Sequence, residues 1–162
     1  MPTVILDTDF LSSFLKINRC DLIQALYEIE QALMPRAVLR ELARTDLLVS
    51  LLAIRWVNVS TVELLPDETL LHDSSFQNLG AGEQECIRLA QTLPDVVLLM
   101  NDNKARRFAH SLGIAAVNIP AFLLACKMAG LVSPVQMRQI ILDLKTEDFY
   151  EFKSEVRDLL LE

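Results

Sequence analysis

The run Val4-Ile5-Leu6 is apolar without alternation, stops at Asp7, and gives way at once to a helical pattern. A short unalternated run reads as a strand buried on both faces, as in a parallel sheet. Parallel neighbours cannot be joined by a hairpin and need a crossover, usually a helix. These few residues therefore confine the chain to an α/β architecture. They also place Asp7 at the carboxyl end of its strand, where open α/β sheets bind ligands. A half-desolvated carboxylate at such a place needs a cation or hydrogen-bond donors.

The rest of the chain repeats the alternation. Phe10, Leu11, Phe14 and Leu15 make a helical stripe over residues 8–16, and a second helix follows over 21–27, with Asp21 as its cap. Ala32-Leu33-Met34 reads as a strand, and Pro35 opens a helix over 35–44. Residues 46–55 read as helix and 56–59 as strand. The stretch 61–80 is ambiguous, with a helical piece over 67–73 and a loop over 74–80. Gly80-Ala81-Gly82 opens a helix to about residue 92, and 96–100 is a strand. A helix over 104–112 ends at Gly113 as a left-handed cap. A strand over 114–117 and a helix over 120–129, stopped by Gly130, come next. Helices over 134–144 and 151–161 complete the pattern. No internal repeat or Gly/Pro/Ser-rich linker divides the chain, so one domain over 1–162 is expected. Its core spans about 3–130 and its C-terminal helices 133–162.

Composition narrows the function. The chain is 52% hydrophobic with four glycines and six prolines, which excludes a disordered or low-complexity protein. A net charge of −7 excludes gripping nucleic acid by overall charge. It leaves room for a carboxylate site whose bound cations reverse the local sign. Cys20, Cys86 and Cys126 are widely spaced with no C-x-x-C, and read as thiols in a reducing cytosol. His72 and His110 are too isolated for a zinc site. Asp7 and Asp9 interrupt the early apolar run, against a secretory signal. Asn118, Pro120 and Lys127 interrupt the apolar stretch 114–132, which reads as strand, turn and buried helix rather than a membrane span.

The strands ending at Asp7 and just before Asp102 share one layout: apolar run, acid, helix. In a parallel sheet both ends lie on one edge, so the two acids face one crevice, although each also suits the cap of its helix. Glu41 lies in the 35–44 helix, which carries Arg36, Arg40 and Arg44 as a stripe that is either a solvated face or a phosphate-contacting edge. Glu41 is alternatively an ion-pair partner on its own helix. Glu83 and Glu85 open the next helix, where acids favour the positive dipole end, and the preceding Gly-Ala-Gly permits close backbone approach. Two unit charges about 5 Å apart repel by roughly 3 kcal/mol at an effective dielectric of about 20. Several gathered carboxylates therefore take up protons or cations. Oxygen-only donors suit Mg2+ or Mn2+, and two such ions can activate water against a phosphodiester.

With those motifs in place the chain resembles the PIN-domain family, and within it toxin ribonucleases of the VapC type. The resemblance rests on Val4-Ile5-Leu6-Asp7-Thr8, on residues 35–42, on Gly82-Glu83-Gln84-Glu85, and on Leu98-Leu99-Met100-Asn101-Asp102-Asn103-Lys104-Ala105-Arg106. The Gly-Glu-x-Glu helix is similar to one branch of the family. The resemblance implies a three-layer α/β/α sandwich around a parallel sheet of about five strands. It implies metal-binding catalytic acids at Asp7, Glu41, Glu83 and Asp102, with Glu85 competing for the place of Glu83. Asp9 or Ser12 would brace the site by a hydrogen bond, and Asn103 stands where the branch often has a second aspartate. Lys104, Arg106, Arg107 and Arg40 would contact RNA. The implied activity is Mg2+- or Mn2+-dependent endonucleolytic cleavage of single-stranded RNA in the cytoplasm, by a homodimer held inactive by a small antitoxin.

Two other readings remain open on sequence. Asp7-Thr8-Asp9 after a strand also suits a haloacid-dehalogenase-like phosphatase, with Asp7 as nucleophile and Asp9 as acid/base, which leaves Glu41 and Glu83 without a role. A PIN-like scaffold that only binds a partner would account for the asparagines flanking Asp102.

Overall fold

Five parallel strands in the order β3-β2-β1-β4-β5 form the central sheet of the computed structural model, which describes residues 1–162. The strands are β1 (Thr3–Leu6), β2 (Ala32–Met34), β3 (Val57–Val59), β4 (Val96–Leu99) and β5 (Ala115–Val117). β1 lies at the centre, with Val4, Ile5 and Leu6 fully buried, as its unalternated pattern requires. It pairs with β4 from Thr3 opposite Val96 to Leu6 opposite Leu99, and with β2 through Ile5 and Leu33. The chain leaves β1 toward β2 and leaves β4 toward β5. The order therefore reverses between β1 and β4, and the crevice belongs at their carboxyl ends.

Helices cover both faces, giving an α/β/α sandwich. α1 (Thr8–Lys16), α2 (Asp21–Tyr27), α9 (Ile119–Met128), α10 (Pro134–Asp148) and α11 (Ser154–Leu161) pack among themselves on one side. Phe10 and Phe14 of α1 stack at 5.0 Å, and both meet Phe122 of α9 edge-on at 5.3 and 5.2 Å. Such pairs add about 0.5–1.5 kcal/mol each beyond the area they bury. α7 (Ala81–Gln91) lies against β1 and β4, and α8 (Asn103–Ser111) against β5. α3 (Arg36–Ala43) bridges α1 and α7. The apolar stretch 114–132 resolves into β5 and α9, and no helix is long and apolar enough to cross a membrane.

Several boundaries differ from expectation. Residues 74–80 are not all loop: α6 (Ser74–Gln77) follows α5 (Glu68–Leu71), because Asp73 accepts from the Ser75 and Phe76 N–H groups at 2.9 and 3.2 Å and Phe76 is buried. The expected helix over 46–55 contracts to α4 (Leu48–Leu52). Asp21 stands inside the first turn of α2 rather than capping it, and Cys20 takes the cap position. α10 runs on to Asp148 and α11 starts only at Ser154. The extra turn of α10 carries Asp148 to α1, where the Ser13 hydroxyl donates to it at 2.5 Å and Lys16 pairs with it at 2.7 Å.

Candidate active site

Asp7 directly follows β1 and its backbone N–H donates to the Leu99 carbonyl of β4 at 3.0 Å, so the acid sits on the seam where the order reverses. It is 2% exposed. Its carboxyl makes a long contact with the Cys86 thiol at 4.0 Å, caps no N–H of α1 in the second or third position, and pairs with no cation. Burial, followed by the charges of Glu83, Asp9 and Glu41, pushes its pKa from 3.8 up to about 8.

Glu41 is brought in by α3 and held at both oxygens. Oε1 accepts the Gly82 backbone N–H at 3.0 Å, and Oε2 accepts from the Thr8 hydroxyl. The contact requires glycine at 82: a Cβ there would lie 2.8 and 3.1 Å from the Glu41 oxygens and 3.1 Å from the Thr8 hydroxyl. The close approach permitted by Gly-Ala-Gly is thus made to a carboxylate. The sequence motif held no sign that the partner would be Glu41, or that Thr8 would share it.

Glu83 sits in the first turn of α7, where its Oε2 accepts the Gly80 N–H at 3.0 Å. Burial raises its pKa, as do the charges of Asp102, Asp9 and Glu41. Glu85 turns elsewhere: it accepts the Ala37 N–H at 3.2 Å and pairs with Arg40 at 3.3 Å, tying α7 to the start of α3. Asp102 caps α8 by accepting the Ala105 N–H at 2.9 Å. Asp9 is exposed, and its pKa is raised by partial burial and by Glu41, Asp102 and Asp148. Asp7, Asp9, Glu41, Glu83 and Asp102 therefore share one electrostatic neighbourhood although they come from four different segments.

Other residues singled out in the sequence stand differently. Ser12 makes no side-chain hydrogen bond; its neighbour Ser13 binds both the Asp9 carbonyl, at 3.0 Å, and Asp148. Asn103 is exposed and accepts from Arg106, whose Nε is buried without a partner. Arg40 is taken up by Glu85, while Lys104 and Arg107 remain exposed and unpaired. Sequence reasoning missed Asn101 and Tyr150. Asn101 accepts the Ile119 N–H at 3.1 Å, tying the residue before Asp102 to the start of α9, and the Tyr150 hydroxyl lies near it.

The donor set fits a hard divalent cation in kind: buried and half-buried carboxylates, all oxygen, with no cation bonded to Asp7, Glu41, Glu83 or Asp102. The side chains do not stand as a ready cage, and no three histidine, cysteine, aspartate or glutamate groups are so disposed. The reason is visible in their bonds, since Glu41, Glu83 and Asp102 are each turned onto a backbone N–H.

Comparison with known proteins agrees with this architecture. No curated protein and no solved structure gives a significant match. The family model DUF3368, described as a PIN domain, matches residues 3–162, almost the whole chain. A five-stranded parallel sheet with acids gathered at its reversal point, and a family match of that extent, place this chain in the PIN-domain family, a family of nucleases.

Proposed function

We propose that the protein is a metal-dependent endoribonuclease that cuts single-stranded RNA, and that it acts as the toxin of a toxin–antitoxin pair. The observation that carries this reading is the gathering of Glu41, Glu83 and Asp102 near the buried Asp7 at the reversal point of the sheet, where burial and neighbouring acidic charge push the Asp7 pKa up to about 8. Those four residues would hold Mg2+ or Mn2+. When bound, such an ion supplies an activated water and a counter-charge for the leaving oxygen of a phosphodiester.

The chain's own groups set the stage. The Gly82 N–H and the Thr8 hydroxyl hold the Glu41 carboxylate at the start of α7, from which it would turn to a bound ion. The fully buried Cys86, whose thiol lies 4.0 Å from the Asp7 carboxyl, closes the inner side of Asp7 to water. Glu83 is the third acid in preference to Glu85, because Glu85 is spent on Arg40 and Ala37. Exposed Val49 and Leu52 on α4 offer apolar surface for a second copy or an antitoxin. The buried free thiols suit the cytoplasm.

The scaffold reading draws on the lack of a ready cage and on Asn103. The phosphatase reading gains nothing, since Glu41 and Glu83, idle in it, share the field of Asp7. Cleavage of single-stranded RNA with Mg2+ or Mn2+ decides among them. Native protein should cut, Asp7→Asn should lose at least a hundredfold in rate, an order consistent with losing one electrostatic element of a site, and Glu85→Gln should retain activity. Equal rates for native protein and Asp7→Asn would remove Asp7 from the mechanism. No cleavage by either would leave the scaffold.

A further inference from the structure

The acids account for cutting but not for holding a strand, since a protein of charge −7 repels RNA. Two clefts carry cations on the helices that bring in the acids, α3 with Glu41 and α8 with Asp102 as its cap. The cleft beside α3 encloses about 300 Å3 and is lined by Arg36, Arg40 and Arg88, but also by Glu63 and Glu85. Arg40 is paired with Glu85 and Arg88 donates to the Leu65 carbonyl; only Arg36 is left free, and two carboxylates share the cleft with it.

The groove between α6 and α8 is different. It encloses about 470 Å3, within the range of about 300–1,000 Å3 usual for small-ligand clefts. Its walls include Lys104, Arg107, Phe108, Asn78, Ser75 and Ser111, and no carboxylate lines it. Lys104 and Arg107 are exposed and form no ion pair. They lie three apart on α8, hence on one face of that helix. The half-buried Phe108 is held against Phe76 at 5.4 Å, so the ring is fixed before any ligand arrives. The groove is also contiguous with the acids in the chain: Leu79 in its wall leads into Gly80 and Glu83, and Lys104 lies two residues after Asp102.

We propose that this groove seats one unpaired nucleotide of the strand next to the cut. Lys104 and Arg107 take its phosphate, the Phe108 ring lies against its base, and Asn78 meets the base edge. Cations along a backbone track and an aromatic wall for a base are the two parts from which single-strand sites are built. The inference rests on the nuclease reading for its ligand and gives it a direction, since the strand runs out over α8 and not over α3.

The test measures fluorescence anisotropy of a labelled oligouridylate with the full-length protein in EDTA over a series of KCl concentrations. The variants are Lys104→Gln/Arg107→Gln, Phe108→Leu, and Arg36→Gln/Arg40→Gln on the opposite flank, each checked for its thermal midpoint. Expected is a salt slope lowered by about 0.7 for each lost contact in the first variant. Phe108→Leu should weaken binding about tenfold with an unchanged slope. The α3 variant should match native protein. A native slope in Lys104→Gln/Arg107→Gln, loss instead in the α3 variant, or no binding by native protein would each overturn the groove. Because this readout needs no turnover, failure to cleave with Mg2+ or Mn2+ would end the nuclease reading while the slope still judged the groove. Cleavage by Lys104→Gln/Arg107→Gln at native KM would end the groove and leave the nuclease standing.

Discussion

Replacing Asp7 with asparagine should make the protein more stable at neutral pH in EDTA, the opposite of what a change at a fully packed position normally does. The carboxyl is 2% exposed, and its pKa stands at about 8 against 3.8 for the free group. A folded-state pKa above the unfolded one means that the native state binds the proton more tightly. That contribution is complete below about pH 4 and is lost as pH rises through about 8. At about 1.36 kcal/mol per pKa unit, the loss over the window is at most roughly 6 kcal/mol. Rotation of Glu83 toward water and hydration of the crevice reduce it, so a difference of about 2–4 kcal/mol is expected at pH 8. That remains a large part of a domain's usual 5–15 kcal/mol. Asparagine keeps the shape and loses the charge. Urea unfolding of both proteins between pH 4 and 8.5 should therefore give free energies that coincide at the acid end and diverge upward in favour of the variant. Acids remote from Asp7 titrate alike in both proteins and cancel in the difference, while Glu83, Asp9 and Glu41, which are coupled to it, contribute to the divergence. Adding Mn2+ should restore stability to the native chain in proportion to its binding and leave Asp7→Asn unmoved. Parallel pH curves for the two proteins would refute the assignment of Asp7 as a buried, uncompensated acid.

Gly82→Ala should lose stability although alanine is the better helix former by about 1 kcal/mol. The new Cβ displaces the Glu41 carboxylate and breaks its bond to the residue 82 N–H, which costs about 1.5–3 kcal/mol for a charged acceptor. A raised urea midpoint with undiminished Mn2+ binding would contradict that. Phe149→Gly should stabilise the chain by about 1 kcal/mol, because Phe149 ends α10 at φ 53° and is 89% exposed, so the change relieves a left-handed strain and gives up little packing. A thermal midpoint below that of native protein would show that the ring does more than end a helix.

The alternation of apolar runs and helical stripes by itself determined the architecture. Val4-Ile5-Leu6 can be buried on both faces only inside a parallel sheet, and Gly113 and Gly130 ended their helices with φ of 77° and 72°, as glycine after an apolar stripe suggests. The acids were legible as residues at strand ends and in first helical turns, because local patterning places a residue along its own element. Which element meets which is a matter of long-range packing, and there the sequence was silent. Nothing local says that Gly82 lies against Glu41, that Glu85 faces Arg40 while Glu83 faces the acids, or that α10 reaches far enough to set Asp148 against Ser13. A loop assigned over 74–80 became a capped turn once Phe76 found Phe108. Periodicity reports which side of a strand or helix is apolar. The partners of its polar side chains depend on how the elements cross, and only the tertiary structure decides that.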